Sequence, residues 1–391
     1  METERNHVIV VGGGPAGLVA AALLARAGVP TTLIAGPAPK DTRTTALMQG
    51  SLRILTRLGL WPRLAPQTGA LKKLRIVDAT DRLIHAPEVL FDAAELGFTS
   101  FGHNIENSVL VTALRETAEA LPALTIRNEM VASVRSDDDR AIVSLQSGEK
   151  IAGALIVGAD GRNSICRRAA GISAKTRDYP QAALTLNVRH TRPHHDVSTE
   201  FHTTGGPLTL VPLPGNRSSV VLVDTPATVE RLSELDDAAV GRELQQRTHG
   251  ILGNITPDSP RGKRPLSSLV ANRFAARRIA LVGEAAHVLP PIGAQGLNLG
   301  VRDAAAIADF VVVASDRHGD IGGSDLIGAY DRARSADVRP RSAFVDVLNR
   351  SLMSEFLPAQ IGRAAGLCAL GAIPPLRRAI MRQGIAARAD V

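Results

Sequence analysis

Six consecutive small residues, Gly12-Gly13-Gly14-Pro15-Ala16-Gly17, separate the apolar run His7 to Val11 from a second run of helix-forming composition, Leu18 to Ala27. A strand, a glycine turn and a helix in that order leave backbone N–H groups at a helix N-terminus free to meet an anion. Gly12 suits the tight turn, Gly14 the close approach of a pyrophosphate and Gly17 the packing of helix on sheet. Pro15 and Ala16 complete this candidate binding turn. A further strand, Thr31 to Ile34, follows at the spacing of a βαβ unit. The acidic residue expected at its end, to hold a ribose, is absent: the chain reads Leu33-Ile34-Ala35-Gly36-Pro37. Asp41 is the next acid and is read either as a substitute or as a turn residue.

The strand-then-turn pattern recurs twice. Leu155-Ile156-Val157 runs into Gly158-Ala159-Asp160-Gly161-Arg162-Asn163-Ser164, where Asp160 or Ser164 could cap a helix or meet a ligand. Ile279-Ala280-Leu281-Val282 runs into Gly283-Glu284-Ala285-Ala286-His287 and then Pro290-Pro291-Ile292-Gly293-Ala294-Gln295-Gly296-Leu297-Asn298-Leu299-Gly300. A carboxylate at a strand end can accept from sugar hydroxyls. Prolines stiffen the loop that follows, and glycines leave its N–H groups open to a flat, electron-rich ring. A long Ala-rich helix is expected from about Asp303, with its N-terminal turn near Leu297.

Together these three segments resemble the FAD-dependent aromatic hydroxylases, the family of para-hydroxybenzoate hydroxylase, and within it the ubiquinone-biosynthesis branch. The resemblance implies FAD as cofactor, with ADP on the first segment, FAD and NADH or NADPH near Asp160, and ribitol and isoalloxazine on the third segment. Carried over by position, the cofactor site is Gly12, Gly14, Pro15, Ala16, Gly17, Asp160, Gly283, Glu284, Pro291, Gly293, Ala294, Gln295, Gly296, Leu297 and Asn298. Arg43 and Asn107 join it where the family places polar residues beside the cofactor. Pro291 is the catalytic-face residue; no acid or base is assigned, and His287 is read as positional. Three positions depart from the family: Ala35 stands where an acid is usual, Glu284 where aspartate is usual, and Gln295 is neutral where para-hydroxybenzoate hydroxylase has lysine.

What must position these residues is a Rossmann-like α/β fold, discontinuous in sequence. Between the second and third segments the pattern turns to alternation, at Ala183 to Arg189, Thr199 to His202, Leu208 to Pro212 and Ser218 to Asp224. These are expected to be strands of an inserted antiparallel sheet that roofs a substrate site. The expected division is an FAD-binding domain of residues 1–70, 101–178 and 266–345, a substrate domain of 71–100 and 179–265, and a C-terminal helical tail, 346–391.

Composition agrees with an enzyme acting on a small molecule. The 391 residues are 45% hydrophobic and 21% charged, enough to bury a full core. Although the net charge is +7, eleven aromatic side chains with no basic stretch among them offer no stacking platform, so nucleic acid is not expected. Two cysteines, Cys166 and Cys368, suggest neither a disulfide framework nor a metal site. No basic leader precedes the first strand, which points to the cytoplasm. The apolar stretch Ala364 to Leu376 is 13 residues long and holds two prolines, against roughly 20 for a spanning helix. From Arg363 onward five arginines face one acid, so the tail reads either as lying on the inner face of the cytoplasmic membrane or as packed on the flavin domain.

The insertion and the tail motifs, Tyr179-Pro180-Gln181 and Pro374 to Met381, resemble the ubiquinone branch. That implies hydroxylation of a lipophilic, polyprenylated phenol with dioxygen and NADH or NADPH, the alternatives being a hydroxylase of small soluble aromatics, a prenyl reductase, or a non-catalytic flavin-binding subunit of a biosynthetic complex.

Overall fold

A computed structural model describes residues 6–37, 41–80, 87–291, 293–353, 366, 368–370 and 372–385. Ile292 of the third segment and much of the tail around Arg363 lie outside the described residues.

One half of the molecule is built on a six-stranded sheet. Its order is Ala275–Ala276, Ile279–Leu281, Leu155–Gly158, Val8–Val11, Thr31–Ile34 and Leu124–Arg127. All neighbours are parallel except the short hairpin of the first two strands. Strands buried on both faces read as continuous apolar runs, which is why Val8–Val11 and Leu155–Gly158 carry no polar side chain. The helix Pro15–Arg26 and the long helix Gln295–Asp316 pack against each other on this sheet, with a core that includes Leu18, Leu24, Leu299 and Val311. An antiparallel meander, Val131–Ser136, Ala141–Leu145 and Lys150–Gly153, leads into Leu155–Gly158.

The other half is a nine-stranded sheet, mostly antiparallel. The strand Ala174–His190 spans 17 residues and pairs with Arg217–Asp224 on one side and Gly262–Ala271 on the other. Pro207–Leu213 and Val197–His202 continue the sheet, and Lys73–Asp78 joins it in parallel with Val197–His202. Val89–Asp92 closes that edge. The alternating runs read from the sequence are all strands here. Each is longer than the alternation suggested, because pairing extends order past the last alternating residue.

Side-chain alternation divides this sheet into two faces. Leu184, Leu186, Phe201, Leu208, Leu210, Val220 and Leu222 pack under the helices Pro226–Glu234 and Asp237–Arg247. The opposite face carries Leu74, Ile76 and Val211, which pack with Ala46, Met48 and Phe101. The second face therefore looks toward the strand Thr44–Met48. Overall the fold is the mixed α/β type expected, a parallel Rossmann-like sheet with antiparallel sheets and C-terminal helices.

One boundary differs from expectation. The long helix starts at Gln295 rather than near Leu297 or Asp303. Ala294, in the left-handed conformation at φ 52°, turns the chain directly into it. The tail helix Pro374–Ile385 packs through Met381 on the cluster around Phe91 and Phe98, joined there by Leu370 just before it in the chain, and Arg377 pairs with Glu95 at 2.8 Å. It thus rests beside the nine-stranded sheet, leaving Ile373 and Leu376 exposed. Among the described residues no helix is long and apolar enough to cross a membrane.

Candidate active site

The three glycine-bearing segments converge at two close approaches. At the first, Gly12 has φ +116°, and any β-carbon there would collide with the Ala159 carbonyl, so the ends of strands Val8–Val11 and Leu155–Gly158 can meet only with glycine. At the second, a β-carbon on Gly300 would stand 3.0 Å from the Gly283 α-carbon and 3.4 Å from the Ala16 β-carbon. This contact brings the second turn of the long helix against the first turn of Pro15–Arg26. Segments almost three hundred residues apart in sequence are joined there without a polar contact.

Around these contacts the structure leaves room. Neither helix has a side chain capping its N-terminus: Gly14 precedes one and Ala294 the other. A β-carbon on Gly14 or on Gly296 would meet nothing within 4 Å. Two uncapped helix ends facing open space suit an anion and an electron-rich ring, since each presents free N–H groups and the positive end of its dipole. Asp160 adds a second sign of fit. Its Oδ2 accepts from the backbone N–H of Ile165 at 2.7 Å and Cys166 at 3.0 Å, while Oδ1 is buried with no partner. The capping reading of Asp160 is therefore realised with one oxygen, and the other is available to a hydroxyl donor. Ser164 caps the same helix through Arg167 N–H. Burial, then the neighbouring Asp160, push the Cys166 thiol well above its ordinary pKa, so it is no nucleophile.

Arg43, Asn107 and Asp41 form one polar group. Arg43 Nε and Nη2 each donate to Asp41 at 2.8 Å, and Asn107 Nδ2 donates to Asp41 Oδ2 at 2.9 Å. Thr45 Oγ1 donates to Asn107 Oδ1 at 2.5 Å. Partial burial opposes ionisation of Asp41, but the hydrogen bonds from Arg43 and Asn107 outweigh it and bring its pKa down to about 2. Asp41, and after it Glu284, hold the Arg43 guanidinium more firmly charged. Glu284 itself is exposed. Ala35, by contrast, is buried, with its β-carbon filling the space that a β-carbon on Gly13 would need. The tight packing of turn on strand end accommodates alanine where an acid was expected.

Pro291 is exposed, Gly293 has φ +64°, and Gln295 Nε2 folds back on the Gly293 carbonyl at 3.2 Å. Asn298 is buried, and its side chain is saturated. Oδ1 accepts from Met48 N–H at 2.9 Å and Ser51 Oγ at 2.7 Å, while Nδ2 donates to the carbonyls of Ala46 and Ala294. It clasps the loop to the strand Thr44–Met48, and only its backbone remains for a ligand. Asn298→Ala should lower stability by about 2–3 kcal/mol, several net hydrogen bonds plus buried groups left without partners, read as a shift of the urea midpoint. Loop disorder should also weaken flavin retention.

Sequence reasoning missed the network beneath the third segment. Asp303 is fully buried on the long helix and accepts from Gly283 N–H at 3.0 Å, His287 Nε2 at 2.6 Å and Arg334 Nε at 2.6 Å. Tyr330 donates to the Leu281 carbonyl at 2.8 Å. A positional role for His287 accords with this contact. The available signal was an acid and an arginine, Asp303 and Arg334, each set among apolar helix positions.

The fold and the site define a flavin-dependent monooxygenase. The chain belongs to the family described as FAD binding domain, whose model matches residues 5–340. It is similar over most of its length to the ubiquinone hydroxylase UbiL of Rhodospirillum rubrum, 33% identical across 97% of this chain and 89% of that one. The 3-demethoxyubiquinol 3-hydroxylase of Escherichia coli is 31% identical across 98% of this chain and 100% of its own. Among solved structures, p-nitrophenol 4-monooxygenase PnpA from Pseudomonas putida DLL-E4 superposes with a TM-score of 0.78, at 23% identity over 98% of each chain, a likeness of fold.

Proposed function

We propose that this enzyme hydroxylates a polyprenylated phenol in ubiquinone biosynthesis, with NADH or NADPH as reductant and dioxygen as oxygen source. The observation that carries the reading is end-to-end similarity to two ubiquinone-ring hydroxylases. The apolar inner face of the nine-stranded sheet, with Leu74, Ile76 and Val211, supports a lipophilic substrate. Exposed Ile373 and Leu376 beside that sheet support delivery from a membrane surface or a partner enzyme.

In this reading the N–H groups after Gly14, at Ala16 and Gly17, hold the pyrophosphate, and Arg43 adds charge beside it. Asp160 and Glu284 accept from sugar hydroxyls. The turn Gly293 to Leu297 faces the isoalloxazine, and Pro291 supports the substrate-side face. FAD, when bound, accepts electrons from the nicotinamide and activates dioxygen for transfer of one oxygen atom to the ring. The protein's part is to hold the phenol against the loop, exclude water and keep the ring electron-rich.

Deleting the gene should lower ubiquinone and cause a prenylated phenol lacking one hydroxyl to accumulate, as measured by mass spectrometry of lipid extracts. Unchanged ubiquinone with no such intermediate would reject the reading. Turnover without oxygen would instead select a reductase.

A further inference from the structure

The inner face of the nine-stranded sheet is apolar around Leu74, Ile76 and Val211, and its charged groups lie toward its ends, Arg217 paired with Glu106 and Asp258 at one, and Glu200, His202 and Asp78 at the other. Glu200 and His202 are two residues apart on the strand Val197–His202 and so share a face, the one opposite Phe201, which packs under the helices. Register places Glu200 beside Ile76 on one neighbouring strand and Thr209 on the other. Ile76 packs in the cluster that contains Met48, and Met48 N–H is held by Asn298 of the flavin loop. The carboxylate therefore shares the sheet face of Ile76, the face whose apolar cluster includes Met48 and the tail residue Met381.

The pair has the form of a base and its orienting partner. His202 Nε2 lies 2.9 Å from Glu200 Oε1. The His202 side chain is 9% exposed, against 24% for Glu200, and its Nδ1 is buried without a partner. A proton on Nε2, donated to the carboxylate, leaves Nδ1 as the bare nitrogen and fixes both the tautomer and the direction of Glu200. The second carboxylate oxygen remains for another donor. Asp78 sits in register with His202 and accepts from Thr80 N–H and Oγ1. The other described neighbours of Glu200 across the sheet, Ile76 and Thr209, and the strand Thr44–Met48 carry no charge. Of the other elements packed on this face, the strand Gly102–Glu106 carries His103 and Glu106, the latter paired with Arg217, and the tail helix carries Arg377, paired with Glu95, and the exposed Arg378 and Arg382.

We propose that Glu200 is the acid–base residue for the substrate's phenolic hydroxyl, and that His202 is its positioning residue. The inference rests on the phenol reading above. The phenol O–H bond breaks, its proton passes to the free oxygen of Glu200, and the electron pair stays on the phenol oxygen. No electron is transferred. The resulting phenolate is a stronger nucleophile at its ring carbons, which is what electrophilic oxygen transfer needs, and the proton returns to the product oxygen afterwards.

The test uses FAD-loaded enzyme with ortho-geranylphenol and a fluorinated, more acidic analogue, following product by chromatography from pH 6 to pH 10. Glu200→Gln should lower kcat about a hundredfold at neutral pH, in the range of a lost general base. The deficit should shrink as pH rises and with the more acidic phenol, because each supplies phenolate without the base. His202→Leu should displace the pH profile while flavin content and flavin reduction by NADH stay as in the wild type. A deficit equal at every pH and for both phenols, or no deficit, overturns the assignment. If Glu200→Gln fails to retain FAD, Glu200→Asp, which keeps a carboxylate, must outperform His202→Leu at neutral pH or the assignment falls. Wild-type enzyme that reduces its flavin but hydroxylates neither phenol rejects the phenol reading itself.

Discussion

Asp303→Asn is expected to cost about 3–5 kcal/mol of folding free energy, the range for removing one partner of a buried ion pair. Asp303 is 0% exposed and Arg334 6%, so the guanidinium left behind has little water to replace the lost carboxylate. The effect should reach the active site as well, because the same carboxylate holds Gly283 N–H and His287. Burial alone would raise the Asp303 pKa, but Arg334 and His287 overcome it and bring it to about 2. A folded pKa below the unfolded value of 3.8 means the contribution is complete above pH 3.8 and is lost as pH falls toward 2. Urea titrations of wild type and variant should therefore differ most at neutral pH and converge in acid. A double variant, Asp303→Leu with Arg334→Met, should recover part of the loss, since it removes the buried charge but leaves Gly283 N–H and His287 without their acceptor. A single variant within 1 kcal/mol of wild type would mean that the network is not what holds the third segment in place.

That network also marks where sequence reading stops. The turn Gly12 to Gly17 was legible because its chemistry is local: neighbouring residues make a strand end, a turn and a helix start. The alternating strands were legible for the same reason, down to the face each residue occupies. Asp303 and Arg334 lie 31 residues apart on different helices, so their pairing depends on how those helices pack. Asn298 was read as a ligand contact, yet its side chain is fully engaged with Ala46, Met48, Ser51 and Ala294. Loop composition gave no sign of that long-range clasp. Glu200 and His202 could have been noticed, since two titratable groups at alternate positions of a strand must share a face. Which face looks toward the strand Thr44–Met48 became clear only from the packing of Ile76, Val211 and Met48.

The largest functional effect should come from Gly14→Trp, which is expected to abolish FAD retention with little loss of stability. Gly14 sits at φ −74° and ψ 172°, ordinary extended backbone that tryptophan adopts without strain. Its β-carbon would meet nothing within 4 Å, so the protein itself offers no clash. The indole would occupy the space before the uncapped end of Pro15–Arg26, where the pyrophosphate is proposed to lie. Purified variant should be colourless, gain no visible flavin absorbance on incubation with FAD, and unfold within about 1 kcal/mol of apo wild type, as for a substitution outside the core. Gly12→Ala is the informative contrast. At φ +116° and against the Ala159 carbonyl, even a methyl group forces apart two central strands, so stability and FAD binding should fall together. Separate behaviour of the two glycines would tie the open space before Gly14 to the cofactor and the contact at Gly12 to the fold. A Gly14→Trp protein that purified yellow at full occupancy would move the pyrophosphate elsewhere.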